Sequence, residues 1–413
     1  MKNIIKIVLC ITLLLGVENS YSQFSTEQEN EIKRLSIIIS NQDSHDTLIA
    51  DAYLDLSGML YVSNLDTMIP LCNKCITSVE KGLVNHSDKK IIKKLHNIKS
   101  GALNNIGFAH MKKGNIDSAI FYLLKSIEII KILDDKKGIA LGLNNIGYIY
   151  NEQGHVEKAL EYYHKSLKIE EEIGNKKGIA TSINNIAYLY KMQGEIDKAL
   201  NYFNKSLNLF IELKNSLRTA GCYNNIGSVY EIKNDQVKAL DYYYRALNIR
   251  IEIENKPGVA SSYNSIGHIY EKHGNLDKAL NYYSKSLLIR EEIEDKDGLT
   301  ASLNSLAKAL LIKGDLKLAK KHAGRGLILS KELGFPENIQ KSAKVLSEVY
   351  EKENNGMKAL EMYKLYIEMR DSTYNEETQK AALKESATYE YEKQKVIDDV
   401  QFEKLIAVEK ESK

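Results

Sequence analysis

The feature that most constrains the fold of this chain is a repeat with a period of 40 residues. Glycine, alanine and tyrosine each recur at this spacing along most of the sequence. The alanine series is Ala119, Ala159, Ala199, Ala239, Ala279, Ala319 and Ala359. A fixed period of this length is typical of a solenoid, because one short unit cannot bury its apolar face until neighbouring units stack on it. We therefore predict one array of stacked units rather than separate globular domains.

Each unit is predicted to contain two helices. Apolar residues recur at helical spacing over 138–150 and again over 156–169. Gly154 lies between these stretches and provides the permissive backbone that ends a helix. The polar stretch 174–178 is interpreted as the loop before the next unit. Only 3 prolines occur in 413 residues, which fits a mostly helical chain because proline breaks helix interiors.

The residues within one unit resemble the tetratricopeptide repeat. The matching pattern is Leu143-x-x-Ile146-Gly147-x-x-Tyr150, followed by Ala159-x-x-x-Tyr163. Six units over about 99–333 carry this pattern, a seventh lies over about 338–371, and a degenerate one lies over 46–82. The resemblance implies an all-α, right-handed superhelical solenoid of antiparallel helix pairs. It also implies a concave face lined mainly by the first helix of each pair, and a protein or peptide ligand.

The unit departs from the family's usual form in two ways. It is 40 residues long instead of about 34, and Glu171 stands where the family has a closing proline. Both departures indicate longer helices and longer loops. The lengthened form resembles that of peptide-binding relatives such as the kinesin light chain, scaffold proteins of spindle orientation and bacterial quorum-peptide receptors.

Residues 1–22 are predicted to be a secretory signal peptide. Lys2 and Lys6 precede a short apolar run, and Ser20-Tyr21-Ser22 places small residues where signal peptidase reads. An uncleaved anchor is the alternative, which is disfavoured because the apolar run is short for a membrane span. We expect export to the periplasm or the cell envelope.

The rest of the chain divides into three predicted regions. Residues 23–98 form an N-terminal helical region with the degenerate repeat, and 99–375 form an array of about seven repeats. Residues 376–413 are rich in Glu, Lys and Gln and are interpreted as one long charged helix. This helix is a candidate site of self-association. This helix resembles the stalk of Bacteroidetes sensor proteins, in which a membrane span and an output domain follow. A plain capping helix is the equally weighted alternative.

The sequence contains no pattern that indicates catalysis. The net charge is only +2, which argues against nucleic acid as a partner. There is no nucleophile with a base, no metal-ligand cluster and no phosphate-binding loop. We predict no catalytic residue, metal, cofactor or small-molecule substrate. Cys72 and Cys75 have the C-x-x-C spacing of a small disulfide or half a metal site. Buried thiols are favoured, and Cys222 is expected to be a small core residue.

The first helix of each unit carries three rows of residues that suggest a binding surface. The first row is Asn104, Asn144, Asn184, Asn224, Asn264 and Asn304. The second row is Asn105, Asn145, Asn185 and Asn225, continued by Ser265 and Ser305. The third row varies: Phe108, Tyr148, Tyr188, Ser228, His268 and Lys308.

These rows predict how a peptide would be held. An amide both donates and accepts hydrogen bonds, which suits the backbone of an extended peptide, and asparagines do this in the peptide-binding relatives. Asparagines of both rows are therefore candidate ligand contacts, and Tyr148, Tyr188 and His268 are candidates for selecting side chains. Adjacent helical residues differ by about 100° around the axis. We therefore assign one row to the ligand and the other partly to bonds between repeats.

The expected function is that of an exported protein that binds an extended peptide or protein partner. The signal peptide and the stalk-like tail favour the sensory region of an envelope signalling protein. A free-standing periplasmic scaffold that assembles other proteins, without signalling output, is the alternative.

Overall fold

The structure is a computed structural model that describes residues 26–41, 45–59, 65–113, 115–334 and 336–371. Over these ranges the chain is α-helical and contains no strand. The all-α prediction is confirmed. The predicted signal peptide (1–22) and the predicted charged tail (376–413) lie outside the described residues.

Seventeen helices follow one another along these described ranges. They are α1 (Thr26–Ser40), α2 (Asp46–Met59), α3 (Leu65–Asn85), α4 (Lys89–Lys112), α5 (Ile116–Ile132), α6 (Lys136–Glu152), α7 (Val156–Glu172), α8 (Lys176–Met192), α9 (Ile196–Glu212), α10 (Ser216–Ile232), α11 (Gln236–Glu252), α12 (Lys256–Lys272), α13 (Leu276–Glu292), α14 (Lys296–Lys313), α15 (Leu316–Leu333), α16 (Pro336–Lys352) and α17 (356–371). From α4 onward, each even-numbered helix is the first of a repeat and the next helix is the second. The first of these helices begins at Lys89, before the predicted array boundary at 99.

The 40-residue period is built from helices of 17 residues and loops of three. In one repeat, α6 and α7 each have 17 residues, and they are separated by residues 153–155. Residues 173–175 lead to α8. The expectation of longer loops is wrong, and Lys176 to Gly178 form the first turn of α8 instead of the predicted loop. Both loops of this repeat turn through one left-handed residue, Gly154 at φ 74° and Gly174 at φ 67°, a conformation that glycine adopts without steric cost.

Helix starts in the second half of the chain carry side-chain caps. Asn255 Oδ1 accepts from the Gly258 amide at 2.8 Å, and Asn275 Oδ1 accepts from the Lys278 amide at 3.2 Å. Each cap satisfies a backbone donor that has no partner inside the helix. The polar residue just before a helix thus explains where that helix begins.

The described chain forms two compact units. The first contains residues up to 152 together with 158–178, and the second contains 153–157 together with 179 onward. In the first unit, Ala119, Leu123 and Ile127 of α5 form an apolar cluster with Ile146 and Ile149 of α6. This contact buries the apolar face that the sequence pattern predicts for each helix.

The second unit repeats this packing along its helix pairs. Phe203 and Phe210 of α9 form one cluster with Ile226 and Val229 of α10. Further clusters join α11 to α12 and α13 to α16. Stability in such an array is approximately a sum over each repeat and its neighbours.

The two helices of a repeat approach closely at one small residue. A Cβ added to Gly147 would lie 2.7 Å from Tyr163 Cδ1, and one added to Gly267 would lie 2.7 Å from Tyr283 Cε1. Such contacts are too short for real Cβ atoms. At the equivalent place Ala187 occurs together with Phe203, in the same apolar cluster. The predicted close approach at Gly147 is confirmed.

The cysteines of the described chain are buried free thiols. Cys72, Cys75 and Cys222 are 0%, 0% and 2% exposed. The Cys75 thiol donates to the Ala50 carbonyl at 3.2 Å, and burial raises its pKa to about 12. These thiols pack as core residues, as the sequence favours.

Within the described residues, no helix is long and apolar enough to cross a membrane.

Candidate functional site

The three predicted rows lie on the first helices of the repeats, and most of their residues are half-buried. In the first row, Asn104, Asn144, Asn184, Asn224 and Asn264 are half-buried, and Asn304 is buried. In the second row, Asn145, Asn185 and Asn225 are half-buried. Tyr148 and Tyr188 of the third row are 43% and 37% exposed. The rows therefore form a surface that water reaches but that is not fully solvated.

Asparagines of the two rows are joined by hydrogen bonds between successive repeats. In the first unit, Asn145 Nδ2 on α6 donates to Asn104 Oδ1 on α4 at 3.2 Å. In the second unit, Asn225 Nδ2 on α10 donates to Asn184 Oδ1 on α8 at 3.1 Å. We call this set of bonds the amide ladder. The inter-repeat bonds use both rows, whereas the sequence pattern assigned such bonds to one of the two rows without deciding which.

The amide ladder fixes the direction of each side-chain amide. The oxygen of Asn184 also accepts from the Cys222 thiol at 3.7 Å, so two donors hold it inward. A first-row amide held in this way keeps its Nδ2 donor for other partners, and a second-row amide keeps its Oδ1 acceptor. No further hydrogen bond of Asn104, Asn145, Asn184 or Asn225 side chains occurs among the described residues.

The ladder is interrupted where serine replaces the second asparagine. Ser265 would face Asn224, but its hydroxyl donates within its own helix to the Ser261 carbonyl at 3.2 Å. Ser305 would face Asn264. There, Asn264 Oδ1 is buried and has no hydrogen-bond partner among the described residues.

Asn304 differs from the other first-row residues. Its Oδ1 accepts from Ser342 Oγ at 2.5 Å and its Nδ2 donates to the Asn338 carbonyl at 3.2 Å. Both ends of this amide tie α14 to α16. Asn304 is therefore a structural link, and the structure does not favour its predicted role as a ligand contact.

Two grooves on this surface bring predicted site residues together. In the first unit, a groove of about 380 Å³ is lined by Asn104, Asn105, Asn145, Phe108 and Tyr148, among others. The amide ladder and the variable row thus meet in one concave space.

The second groove, of about 480 Å³, lies in the second unit. Asn264, His268, Asn304, Ser305 and Lys308 line it from α12 and α14, and residues of α16 close its far side. Of the predicted residues, Asn144, Asn184, Asn185, Asn224, Asn225 and Tyr188 line neither of these two grooves.

Two glutamates that the sequence reading did not single out organise the third row. Tyr243 donates to Glu231 at 2.9 Å, and His268 Nε2 lies 3.3 Å from the same carboxylate. In the next repeat Tyr283 donates to Glu271 at 2.7 Å, and Lys308 Nζ lies 2.6 Å away. The sequence feature that could have identified Glu231 and Glu271 is their 40-residue spacing, which places the same acidic residue at one position of two successive repeats.

The pair between Glu231 and His268 shifts both pKa values. The hydrogen bond from His268 holds the Glu231 pKa below its usual value. The same bond raises the pKa of His268, against the opposing effect of partial burial. Each group therefore favours the charged form of the other.

Tyrosines of the two helices of a repeat pack against each other. Tyr230 stacks on Tyr242 with centroids 5.5 Å apart, and Tyr270 stacks on Tyr282 at 5.7 Å. Among the described residues there is no group of three or more His, Cys, Asp or Glu side chains arranged to hold a metal ion.

The architecture and this surface define a helical-hairpin repeat protein with an amide-lined face. A tetratricopeptide repeat profile matches residues 100–172, 178–252 and 258–332. The chain belongs to the tetratricopeptide repeat family. No curated protein sequence matches it.

Several solved structures share the fold. Aspartyl phosphate phosphatase F from Bacillus subtilis is 16% identical with a TM-score of 0.55, covering 83% of this chain and 92% of its own. The Rap conjugation gene regulator of plasmid pLS20, in complex with the Phr* peptide, is 16% identical with a TM-score of 0.52, covering 84% and 95%. A signal transduction ATPase with a tetratricopeptide repeat sensor from Pyrococcus horikoshii is 14% identical with a TM-score of 0.56, covering 88% and 56%. At these identities the likeness extends to the fold alone.

Proposed function

We propose that this protein holds an extended peptide, or an extended segment of a protein, against the first helices of its repeats. The observation that carries this proposal is the amide ladder. Because each bond fixes two amides, every intact pair offers one donor and one acceptor in a set direction. A peptide backbone offers the complementary acceptor and donor at every residue.

The spacing of the ladder suits an extended chain. Packed helices lie about 8–10 Å apart, and an extended peptide advances about 3.3 Å per residue. One repeat would then engage about every third residue of the ligand. The intervening side chains would meet third-row residues such as Tyr148 and Tyr188, which vary between repeats and would supply selectivity.

The energy available is sufficient for moderate affinity. Each hydrogen bond contributes about 0.5–1.5 kcal/mol net, while ordering a flexible peptide costs part of that sum. The amides of the ladder are preorganised, because their hydrogen bonds hold them in place before the ligand binds. The protein therefore loses less conformational entropy on binding. That the similarly folded Rap regulator is found in complex with a peptide is consistent with this use of the fold.

Binding by the full chain to a library of 12-residue peptides tests the proposal. The strongest binder would be resynthesised with a fluorescent label and titrated against the triple variant N144A/N184A/N224A. We expect the affinity to fall at least about tenfold, since about 0.5–1.5 kcal/mol is lost for each contact removed.

Three asparagines on second helices provide the matched control. Asn201, Asn208 and Asn281 are exposed on α9 and α13, so their combined change to Ala removes the same atoms from another face. This control should bind like the parent protein. Unchanged affinity in a folded N144A/N184A/N224A variant would exclude these three first-row asparagines as peptide contacts.

We further propose that the protein is exported and acts as the sensory region of an envelope signalling protein. The predicted signal peptide (1–22) and the stalk-like composition of 376–413 support this. Fractionation of expressing cells should place the protein outside the cytoplasm. Recovery of a stable complex of several envelope proteins, unchanged when peptide is added, would favour the scaffold alternative.

A further inference from the structure

The groove in the second unit differs from the first groove at one step of the repeat. In the first unit, Asn145 fills the space beside Asn104 and donates to its oxygen. Forty residues per repeat place Ser305 in the equivalent relation to Asn264. Serine is too short to reach, and Asn264 Oδ1 is left buried with no donor among the described residues.

Asn264 and Ser305 line the same groove of about 480 Å³, next to Ala301. The hydroxyl of Ser305 also has no hydrogen-bond partner among the described residues. An acceptor and a hydroxyl therefore line the same groove, at the place where the repeat elsewhere puts a carboxamide. Buried polar groups in folded proteins are nearly always paired, so the buried Asn264 oxygen without a donor is an unusual feature of the described residues.

We propose that this groove is a subsite for a side-chain carboxamide, an Asn or Gln residue of the bound peptide. The ligand's amide nitrogen donates to Asn264 Oδ1, as Asn145 does to Asn104. The ligand's amide oxygen accepts from the Ser305 hydroxyl. The inference rests on the proposed function and names the chemistry that the peptide presents at this point.

A carboxamide fits better than a backbone group or a charged side chain. A primary amide presents N–H and C=O on the same side, whereas a trans peptide unit directs them to opposite sides. Lys308 pairs with Glu271 at 2.6 Å, and His268 pairs with Glu231. Lys341 pairs with Glu337. Lys344 and Glu348 also line the groove, but both are exposed. Burying an unpaired ligand charge there would be costly.

The surroundings indicate what flanks the carboxamide. Leu311 and Val345 line the groove beside the polar pair, and both are buried. We expect an apolar residue next to the Asn or Gln of the peptide, because its side chain would rest on these two residues.

The experiment screens the full chain against a library of 12-residue peptides and follows the strongest binder. The peptide is expected to contain an essential Asn or Gln, and its replacement by Asp or Glu should weaken binding at least tenfold. On the protein, S305N should restore the ladder bond to Asn264. This variant should raise the thermal midpoint and weaken the peptide at least tenfold.

Two further variants complete the test. S305A keeps the space and removes only the hydroxyl, so it should weaken binding several-fold. N281S changes an exposed asparagine on α13, away from the amide ladder and both grooves, and should leave this peptide's affinity unchanged. A binder that lacks Asn and Gln, or one that binds S305N as tightly as the parent, overturns the carboxamide subsite while leaving the proposed function standing. Absence of any peptide binder overturns both.

Discussion

A double-mutant cycle on Asn184 and Asn225 tests whether the amide ladder contributes to stability. The two side chains share one hydrogen bond at 3.1 Å between neighbouring repeats. A neutral hydrogen bond of this kind contributes about 0.5–1.5 kcal/mol net. Removing Asn225 leaves Asn184 Oδ1 with only the weak thiol donor Cys222 at 3.7 Å. We therefore expect N225A to lower the free energy of unfolding by about 1 kcal/mol.

The coupling energy isolates the bond from other effects of truncation. Urea unfolding of the parent, N184A, N225A and the double variant should give a coupling of about 0.5–1.5 kcal/mol. The chain supplies a control pair: Asn224 and Ser265 occupy the same places, but the serine bonds within its own helix. Their cycle should give a coupling near zero. Equal coupling in both cycles would show that the ladder bond is not what joins these repeats.

Three further outcomes follow from the packing and the charges. Glu170 is 5% exposed and burial raises its pKa, so its ionised form destabilises the fold. E170Q should therefore unfold at a higher urea concentration than the parent at pH 7. This difference in stability should shrink towards pH 4, where the parent carboxyl becomes protonated. Gly267→Ala should lower the free energy of unfolding by about 1–2 kcal/mol, because the added Cβ would contact the Tyr283 ring. The loss should be smaller in a Tyr283→Phe background, where the ring is no longer held by the hydrogen bond from its hydroxyl to Glu271. Equal losses in both backgrounds would contradict this explanation. The raised pKa of His268 beside Glu231 means that the charged imidazole stabilises the fold below about pH 6.5 and that this stabilisation is lost as pH rises. The difference in unfolding free energy between the parent and H268Q, at most about 1 kcal/mol for a partly exposed pair, should therefore shrink between pH 6 and pH 8. A difference that grows over this range would refute the ion pair.

The fold was predictable because its main determinants are periodic. The alanine and glycine positions, from Gly147 and Ala159 onward, mark the contact between two helices of a repeat, and the structure confirms that contact. Loop length was not predictable from the period alone. A 40-residue unit can contain short helices with long loops, or long helices with short loops. Lys176 to Gly178 have the polar composition of a loop, although they form the first turn of α8.

The candidate site was predictable only in part. The rows on the first helices follow from helical spacing, but the direction of an amide depends on a neighbour 41 positions away. The hydrogen bond from Asn145 to Asn104 therefore could not be predicted from the sequence pattern. The role of Asn304 was not predictable either. It occupies the same position in its repeat as the other first-row asparagines, but it accepts a hydrogen bond from Ser342 on α16.

NMR of the asparagine side-chain amides during a peptide titration tests most directly whether these amides hold the peptide. The full chain, labelled with 15N at asparagine, would be titrated with the strongest library peptide. We expect the Nδ2–H resonances of Asn104 or Asn184 to shift in a saturable way, while those of Asn201 and Asn208 stay in place. Saturable binding in which no first-row asparagine resonance moves would contradict peptide binding by the amide ladder.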